Sequence, residues 1–259
     1  MLHAITFDLD DTLWDNAGVM ERTEHGHYRW LLAALGAWQS ARSEPPLALG
    51  EAALNQADGL ADYLVRRQRL AVEVPERRGD FTWLRLRALE EQLEACGLDR
   101  SAAVEWAAAA MNEFHHLRLQ VTPHPEADAL LAALAGRYRL AAITNGNIQL
   151  ACQPLAHHFP VAIAAGEILA PKPDPRAFLT ALDRLQTRPE HAMHVGDSWA
   201  EDIVPAAELG MHAAWVSERA DRPLPPGVQR IAHIRELPEL LAWLEASPRR
   251  PARRGAGPR

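Results

Sequence analysis

Short apolar runs and amphipathic stretches follow one another along the chain, with one long interruption. His3–Phe7 is an apolar run that ends abruptly in Asp8-Leu9-Asp10-Asp11-Thr12. That is the pattern of a buried strand whose carboxyl end turns acids toward solvent. From about Asn16 to Leu119 the spacing is helical. Met20, Thr23, His27, Trp30, Leu31, Ala34 and Leu35 fall on one stripe, Leu60, Tyr63 and Leu64 with Arg67 on a second, and Leu86, Leu89 and Leu93 on a third. Ser101 is placed to cap a last helix carrying Val104, Trp106 and Met111. No strand pattern interrupts this block.

After the stiff connector Thr122-Pro123-His124-Pro125 the pattern changes. Ala127, Leu130, Leu131 and Leu134 mark a helix, and Leu140–Thr144 a strand that breaks at Asn145-Gly146-Asn147. Val161–Ala165 is a third strand. Asp174-Pro175 reads as an N-cap and first-turn proline for a helix with Phe178, Ala181, Leu182 and Leu185. Ala192–Val195 is a strand stopped by Gly196-Asp197-Ser198. A helix then runs to Leu209 and stops at Gly210, and Met211–Val216 is a further strand. Strand–helix alternation predicts an α/β fold, a doubly wound, Rossmann-like parallel sheet with helices on both faces. The helical block then becomes an all-helical cap (16–118) inserted into a core made of 1–15 and 119–246, with 247–259 a flexible tail.

Composition narrows the setting. The 259 residues are 48% hydrophobic and 24% charged, as in folded soluble proteins. Two cysteines, Cys96 and Cys152, exclude a disulfide framework and favour a reduced, cytoplasmic location. No apolar run is long enough for a membrane span, and the first residues lack the basic region of a signal peptide. The net charge is −7, and Ser247–Arg259 contributes five arginines and no acid, so the remainder is more acidic still. An acidic body argues against a nucleic-acid partner. The expected partner is a small molecule, with the chain a monomer or homodimer. Of 27 basic residues a single one, Lys172, is lysine. A position that stays Lys in so Arg-rich a chain suggests a need for a compact ammonium.

Ligands of a doubly wound sheet bind at the carboxyl ends of its strands. Those ends hold Asp8 and Asp10; Thr144, Asn145 and Gly146; Lys172 in the loop after the third strand; and Asp197, with Glu201 and Asp202 one turn on. Several carboxylates together require a cation, and hard oxygen ligands with room for substrate phosphate favour Mg²⁺. One carboxylate can attack phosphorus. The other can protonate the departing alkoxide and later deprotonate water. Thr144 and the following N–H groups can hold phosphoryl oxygens, and Lys172 can neutralise developing charge. Asp197 completes the metal site, with Asp202 a direct ligand or a partner behind it.

Phe7-Asp8-Leu9-Asp10-Asp11-Thr12-Leu13, Thr144-Asn145-Gly146, Pro171-Lys172-Pro173-Asp174-Pro175 and Gly196-Asp197-Ser198-Trp199-Ala200-Glu201-Asp202 resemble, in order, the four motifs of the haloacid dehalogenase superfamily. The resemblance spans roughly residues 3–245. It implies Asp8 as nucleophile, Asp10 as acid/base, and Mg²⁺ held by Asp8, the Asp10 carbonyl and Asp197. It also places the helical cap between the first two motifs. A halide leaves without a proton, and the superfamily's dehalogenases typically lack the second Asp. Retention of Asp10 therefore favours phosphoester hydrolysis.

Thr6–Asn16, Asp80-Phe81-Thr82 with Arg85 and Arg87, Ile143–Asn147 and His194-Val195-Gly196-Asp197 are together similar to the bacterial flavin mononucleotide phosphatase group. That group also takes 5-amino-6-(5-phospho-ribitylamino)uracil. Asn16, Arg85 and Arg87 are then candidate substrate contacts, and Trp30, Trp38, Trp83 and Trp106 are compatible with stacking on a ring. Phosphoglycolate, a sugar phosphate or a nucleotide are alternative substrates, and a 2-haloacid dehalogenase or a non-catalytic binding protein are alternative functions. A dinucleotide-binding oxidoreductase would want a glycine-rich turn where this chain has Asp-x-Asp-Asp-Thr.

Overall fold

A computed structural model describes residues 1–42, 56–146, 150–164, 166, 168–219 and 222–246. Asn147, Ala165 and the arginine-rich tail lie outside the described residues. Six parallel strands form one sheet: β1 (Ala4–Phe7), β2 (Arg139–Thr144), β3 (Val161–Ala164), β4 (Ala192–Gly196), β5 (His212–Val216) and β6 (Val228–Ile231). Their spatial order is β3-β2-β1-β4-β5-β6. The chain builds outward on one side of β1 and returns to build on the other. A crevice therefore opens at the carboxyl ends of β1, β2 and β4.

Between β1 and the connector at Thr122–Pro125, the described residues form four α-helices, α1 (Val19–Arg42), α2 (Gln56–Glu73), α3 (Phe81–Ala95) and α4 (Arg100–Arg118). Their buried faces, from Tyr28 through Leu89 and Leu93 to Phe114, form a hydrophobic core of their own. The last of them is capped not by Ser101 but by Asp99, whose carboxylate accepts from the Ala102 N–H at 3.0 Å. Asp is as good an N-cap as Ser, and it stands two residues earlier.

The sheet's alternating side chains feed two further cores. Ile5 and Phe7 pack with Leu140, Ala142, Met193 and Val195 under α5 (Ala127–Ala135) and, toward the chain's end, α8 (Leu237–Ala246). Ala4 points the other way, with Ala141, Ile143, Ala192 and Ala213, under α6 (Pro175–Arg184) and α7 (Val204–Glu208). Helices thus cover both faces, as the sequence predicts. Asp174 caps α6 and Pro175 opens it.

The helical block rests directly on the core beside Lys172. A methyl group built on Gly79 would lie 2.3 Å from the Pro171 ring, and one on Gly166 would lie 2.3 Å from the Gly79 carbonyl oxygen. Only glycines permit so close an approach. Three elements depart from the sequence reading, α8 among them, where it named no helix. The segment after Ser198 opens as a π-turn (Trp199–Ile203) before α7 begins. The edge strand β6, Val-Gln-Arg-Ile, is too short and too polar to be read as one, and it follows the turn-forming Pro223-Leu224-Pro225-Pro226-Gly227.

Candidate active site

Each strand end supplies one part of the site. Asp8 leaves β1 with its N–H on the Val195 carbonyl of β4 at 2.9 Å. Lys172 Nζ donates to Asp8 Oδ1 and Asp202 Oδ1, both at 2.6 Å. Asp202 Oδ2 accepts the Ser198 N–H at 3.0 Å. The π-turn carries Asp202 back over β4, so that a methyl on Gly196 would meet its carboxylate at 2.5 Å. Glycine at the end of β4 is therefore required for the carboxylate to sit there.

Behind Asp202, His194 Nε2 stands 3.2 Å from Oδ1, and its Nδ1 is 2.8 Å from Thr6 Oγ1. An ionised carboxylate only accepts, so Nε2 carries the proton and Nδ1 takes the Thr6 hydroxyl. Thr6 and His194 are register partners on β1 and β4. The sequence reading gave neither a role. The signal was a polar residue interrupting each of two otherwise apolar strands.

One ammonium thus serves two buried carboxylates, with a third nearby. Suitable oxygens of Asp8, Asp197 and Asp202 all lie within 4.8 Å of one another. Burial, with repulsion from Asp202 and Asp10, pushes Asp8 well above the usual carboxylate range despite Lys172. Asp197 is pushed up to about 6 by burial and by the charges of Asp202 and Asp11. Burial would raise Asp202 too, but Lys172 and His194 outweigh it and hold Asp202 down to about 2. Burial alone would lower Lys172, yet the two carboxylates keep it above the ordinary lysine value. Two groups pushed up first by burial and further by neighbouring like charges mark a cluster that is short of cation.

Thr144, at the end of β2, is buried, and its Oγ1 accepts the Gly146 N–H at 2.9 Å. Its own hydroxyl proton remains available to a ligand. Asn145 ties this loop to the lysine loop. Its Oδ1 accepts the Lys172 N–H at 2.7 Å, and its Nδ2 donates to the Lys172 carbonyl at 3.0 Å and to Glu201 at 2.9 Å. Asn145 thus holds Lys172 in place.

Asp10 faces the helical block. Arg118 Nη2 engages both of its oxygens, and Trp14 Nε1 donates to Oδ1 at 2.8 Å. A cavity of about 390 Å³ opens here between the two halves. Asp10, Asn145 and Gly146 line its floor, Arg67, Arg78, Arg85 and Arg118 its sides, and Met20, Phe81, Leu84 and Phe114 its apolar wall. Arg85 and Arg67 both bind Glu24 Oε1, with Arg85 Nη2 at 2.7 Å and Arg67 Nη1 at 2.5 Å. Arg85 also lies over the Phe114 ring.

The structure brings together Asp8, Asp10, Thr144, Asn145, Gly146, Lys172, Asp197 and Asp202, and adds Arg85 on the cavity wall. It does not bring Arg87, whose guanidinium binds Glu90 and Glu91 at 3.0 and 3.3 Å on the surface of its own helix. Position 87 falls on a different face of α3 from position 85, so the two arginines cannot share a target. Nor does Asn16 line the cavity; its N–H donates to Asp11 Oδ1 at 2.8 Å. The expected tryptophans are elsewhere too. Trp38 packs on Trp106, and Trp83 lies under Arg77. The aromatic wall is made by Phe81 and Phe114 instead.

Comparison with known proteins agrees with this geometry. Residues 2–210 match the family model described as haloacid dehalogenase-like hydrolase. The chain is 31% identical to the 5-amino-6-(5-phospho-D-ribitylamino)uracil phosphatase YigB of Escherichia coli over 83% of each chain. It is 36% identical to a phosphoserine phosphatase of Thermus thermophilus over 59% of this chain and 63% of the relative. Among solved structures, a 2-haloacid dehalogenase from Pseudomonas syringae superposes with a TM-score of 0.77 at 33% identity, covering 94% of this chain and all of the other. With the four strand-end motifs assembled in one crevice and the family model spanning most of its length, this chain belongs to the haloacid dehalogenase-like hydrolase family.

Proposed function

We propose that the chain is a Mg²⁺-dependent phosphomonoester hydrolase that works through an aspartyl-phosphate on Asp8. Phosphatases among its relatives and the family match put it in the phosphatase class of the family. The observation that carries the mechanism is the presence of two carboxylates of different surroundings at one strand end. Asp8 is buried against Lys172, and Asp10 faces the cavity.

An oxygen of Asp8 attacks phosphorus while the bond from phosphorus to the leaving oxygen breaks, and Asp10 gives that oxygen its proton. Asp10 then takes a proton from water, the water oxygen attacks the phosphoryl group, and the Asp8 carboxylate is released with inorganic phosphate. Thr144 and the Asn145–Gly146 turn are placed to donate to the phosphoryl oxygens, and Lys172 to offset their charge. A divalent cation fits the donor set, which is all hard oxygen and short of positive charge. Lys172, His194 and Ser198 take most of the acceptor sites of Asp202. Mg²⁺ would be held by Asp8 and Asp197, with the Asp10 carbonyl that the family resemblance implies, and Asp202 would support the site from beside them. When bound it supplies neutralisation of the phosphoryl charge.

The substrate is a small phosphorylated metabolite. Similarity to YigB favours 5-amino-6-(5-phospho-ribitylamino)uracil, and the resemblance of the motifs to the flavin mononucleotide phosphatase group adds flavin mononucleotide. The Phe81–Phe114 wall suits their flat rings, and the arginines suit their ring carbonyls. The test is phosphate release from flavin mononucleotide, phosphoserine, phosphoglycolate, sugar phosphates, nucleotides and 4-nitrophenyl phosphate, with Mg²⁺ or with EDTA. Halide release from 2-chloropropionate is measured alongside. Metal-dependent phosphate release, fastest from flavin mononucleotide, is expected. Halide release without phosphate release would replace this reading with dehalogenation.

A further inference from the structure

Arg118 ends α4, where the chain leaves the helical block for the core, and its side chain is 2% exposed. Its Nη2 covers both oxygens of Asp10, while its Nη1, equally buried, has no hydrogen-bond partner. Both residues line the cavity, where Asp10 is the one carboxylate among four arginines. A group that hands a proton to a leaving oxygen needs a carboxylate oxygen within hydrogen-bond reach of it. Here one guanidinium occupies both. A buried N–H without an acceptor carries the full cost of its lost hydration. An incoming anion with several oxygens would satisfy Nη1 and compete for Nη2, because the guanidinium fork fits phosphate as well as carboxylate.

We propose, on the strength of the hydrolase reading, that Arg118 is an exchangeable clasp. It holds Asp10 before the substrate enters, then turns to the anionic oxygens of the phosphomonoester and so frees Asp10 to face the leaving oxygen. The same cation then serves the cap-to-core junction and substrate capture, and Asp10 is released only when a phosphoryl group is present. The contact is to the phosphoryl group that all esters share, so the effect is independent of the leaving group.

The test is steady-state kinetics of full-length Arg118→Met and Arg118→Lys with 4-nitrophenyl phosphate and flavin mononucleotide in Mg²⁺. Circular dichroism checks the fold. The clasp predicts a KM about tenfold or more higher in Arg118→Met with both esters, a kcat within about threefold of the parent, and partial recovery in Arg118→Lys. If Arg118→Met does not fold, Arg118→Lys carries the test, since a single ammonium cannot fork across two acceptors.

A fall in kcat at unchanged KM would overturn the proposal, because Arg118 would then be serving Asp10 during the chemistry. So would unchanged kinetics, which would make it a strut, or a KM rise with one ester alone, which would place it on the leaving group. If the parent protein releases phosphate from no ester, the hydrolase reading fails separately. The clasp is then judged by the affinity for inorganic phosphate, weaker in Arg118→Met if it is right and unchanged if it is wrong.

Discussion

The core side and the cap side of the cavity are built by the same device with opposite sign. At the strand ends, Asp8 and Asp202 share the one ammonium of Lys172, with Asp197 beside them. In the helical block, Arg67 and Arg85 share the one carboxylate of Glu24. Neither set is paired one to one, as it would be if stability alone had shaped it. The core set has negative charge in excess and the cap set positive charge in excess; Arg67 and Arg85 line the cavity, and the core set adjoins it through Asn145, which lines its floor and bonds to Lys172. A cation on the core side and an anion between the two would complete both, which is what a metal-assisted phosphoester hydrolase requires.

The comparison is broken most severely by Asp8→Asn. The substitution removes the attacking oxygen and relieves crowding among like charges. Turnover should fall by about four orders of magnitude or more, while the melting temperature holds or rises. A variant that keeps activity, with deamidation excluded by mass spectrometry, would move the nucleophile elsewhere. Glu24→Ala should do the reverse in the helical block. It leaves two arginines, one of them 5% exposed, facing each other without a counter-charge. Removing one partner of such a buried group costs about 3–5 kcal/mol. Denaturant unfolding should show the loss. An unchanged midpoint would mean that Arg67 and Arg85 find water or other partners and that Glu24 is not what holds them.

The same contrast explains what could be read in advance. The core side was legible because its groups cluster at strand ends, within a few residues of apolar runs that end abruptly. Asp8, Thr144 and Asp197 announce themselves by position. The cap side was not legible, because its constellation joins residues from three helices. Glu24, Arg67 and Arg85 are far apart in the chain, and helical periodicity shows which positions turn inward without showing which inward polar groups meet. Arg85 was singled out for its nearness to a motif, and Arg87 on the same grounds, yet two steps along a helix is slightly more than half a turn. Arg118 lies 108 residues from Asp10, and nothing local to either residue points to the other. The edge strand β6 was missed for a different reason: with one face half open, its residues lack the apolar run that marked the inner strands.

The smallest predicted effect concerns a second buried group of the helical block. His27 is fully buried among Tyr28, Tyr63 and Phe114, and it donates from Nδ1 to the Thr23 carbonyl at 3.0 Å. Burial holds its pKa below the ordinary 6.5, outweighing the attraction of Glu24. The folded protein therefore keeps His27 neutral where the unfolded chain takes up a proton. Stability is full above pH 6.5 and falls as the pH drops from 6.5 toward the folded value, by up to about 1.4 kcal/mol per pH unit. Glu24, held below its ordinary 4.5 mainly by Arg85 and Arg67 against the effect of burial, adds a further loss only below pH 4.5. Between pH 6.5 and 5 the two are separable. His27→Gln should flatten the decline of melting temperature with falling pH across that window, whatever it does to the absolute value. On the core side, His194 is buried with its pKa likewise lowered, so part of the decline should survive in the variant. A slope identical to the parent's would mean that His27 is reached by water or protonated in the folded state, and that the polar centre of the helical block is wetter than its burial indicates.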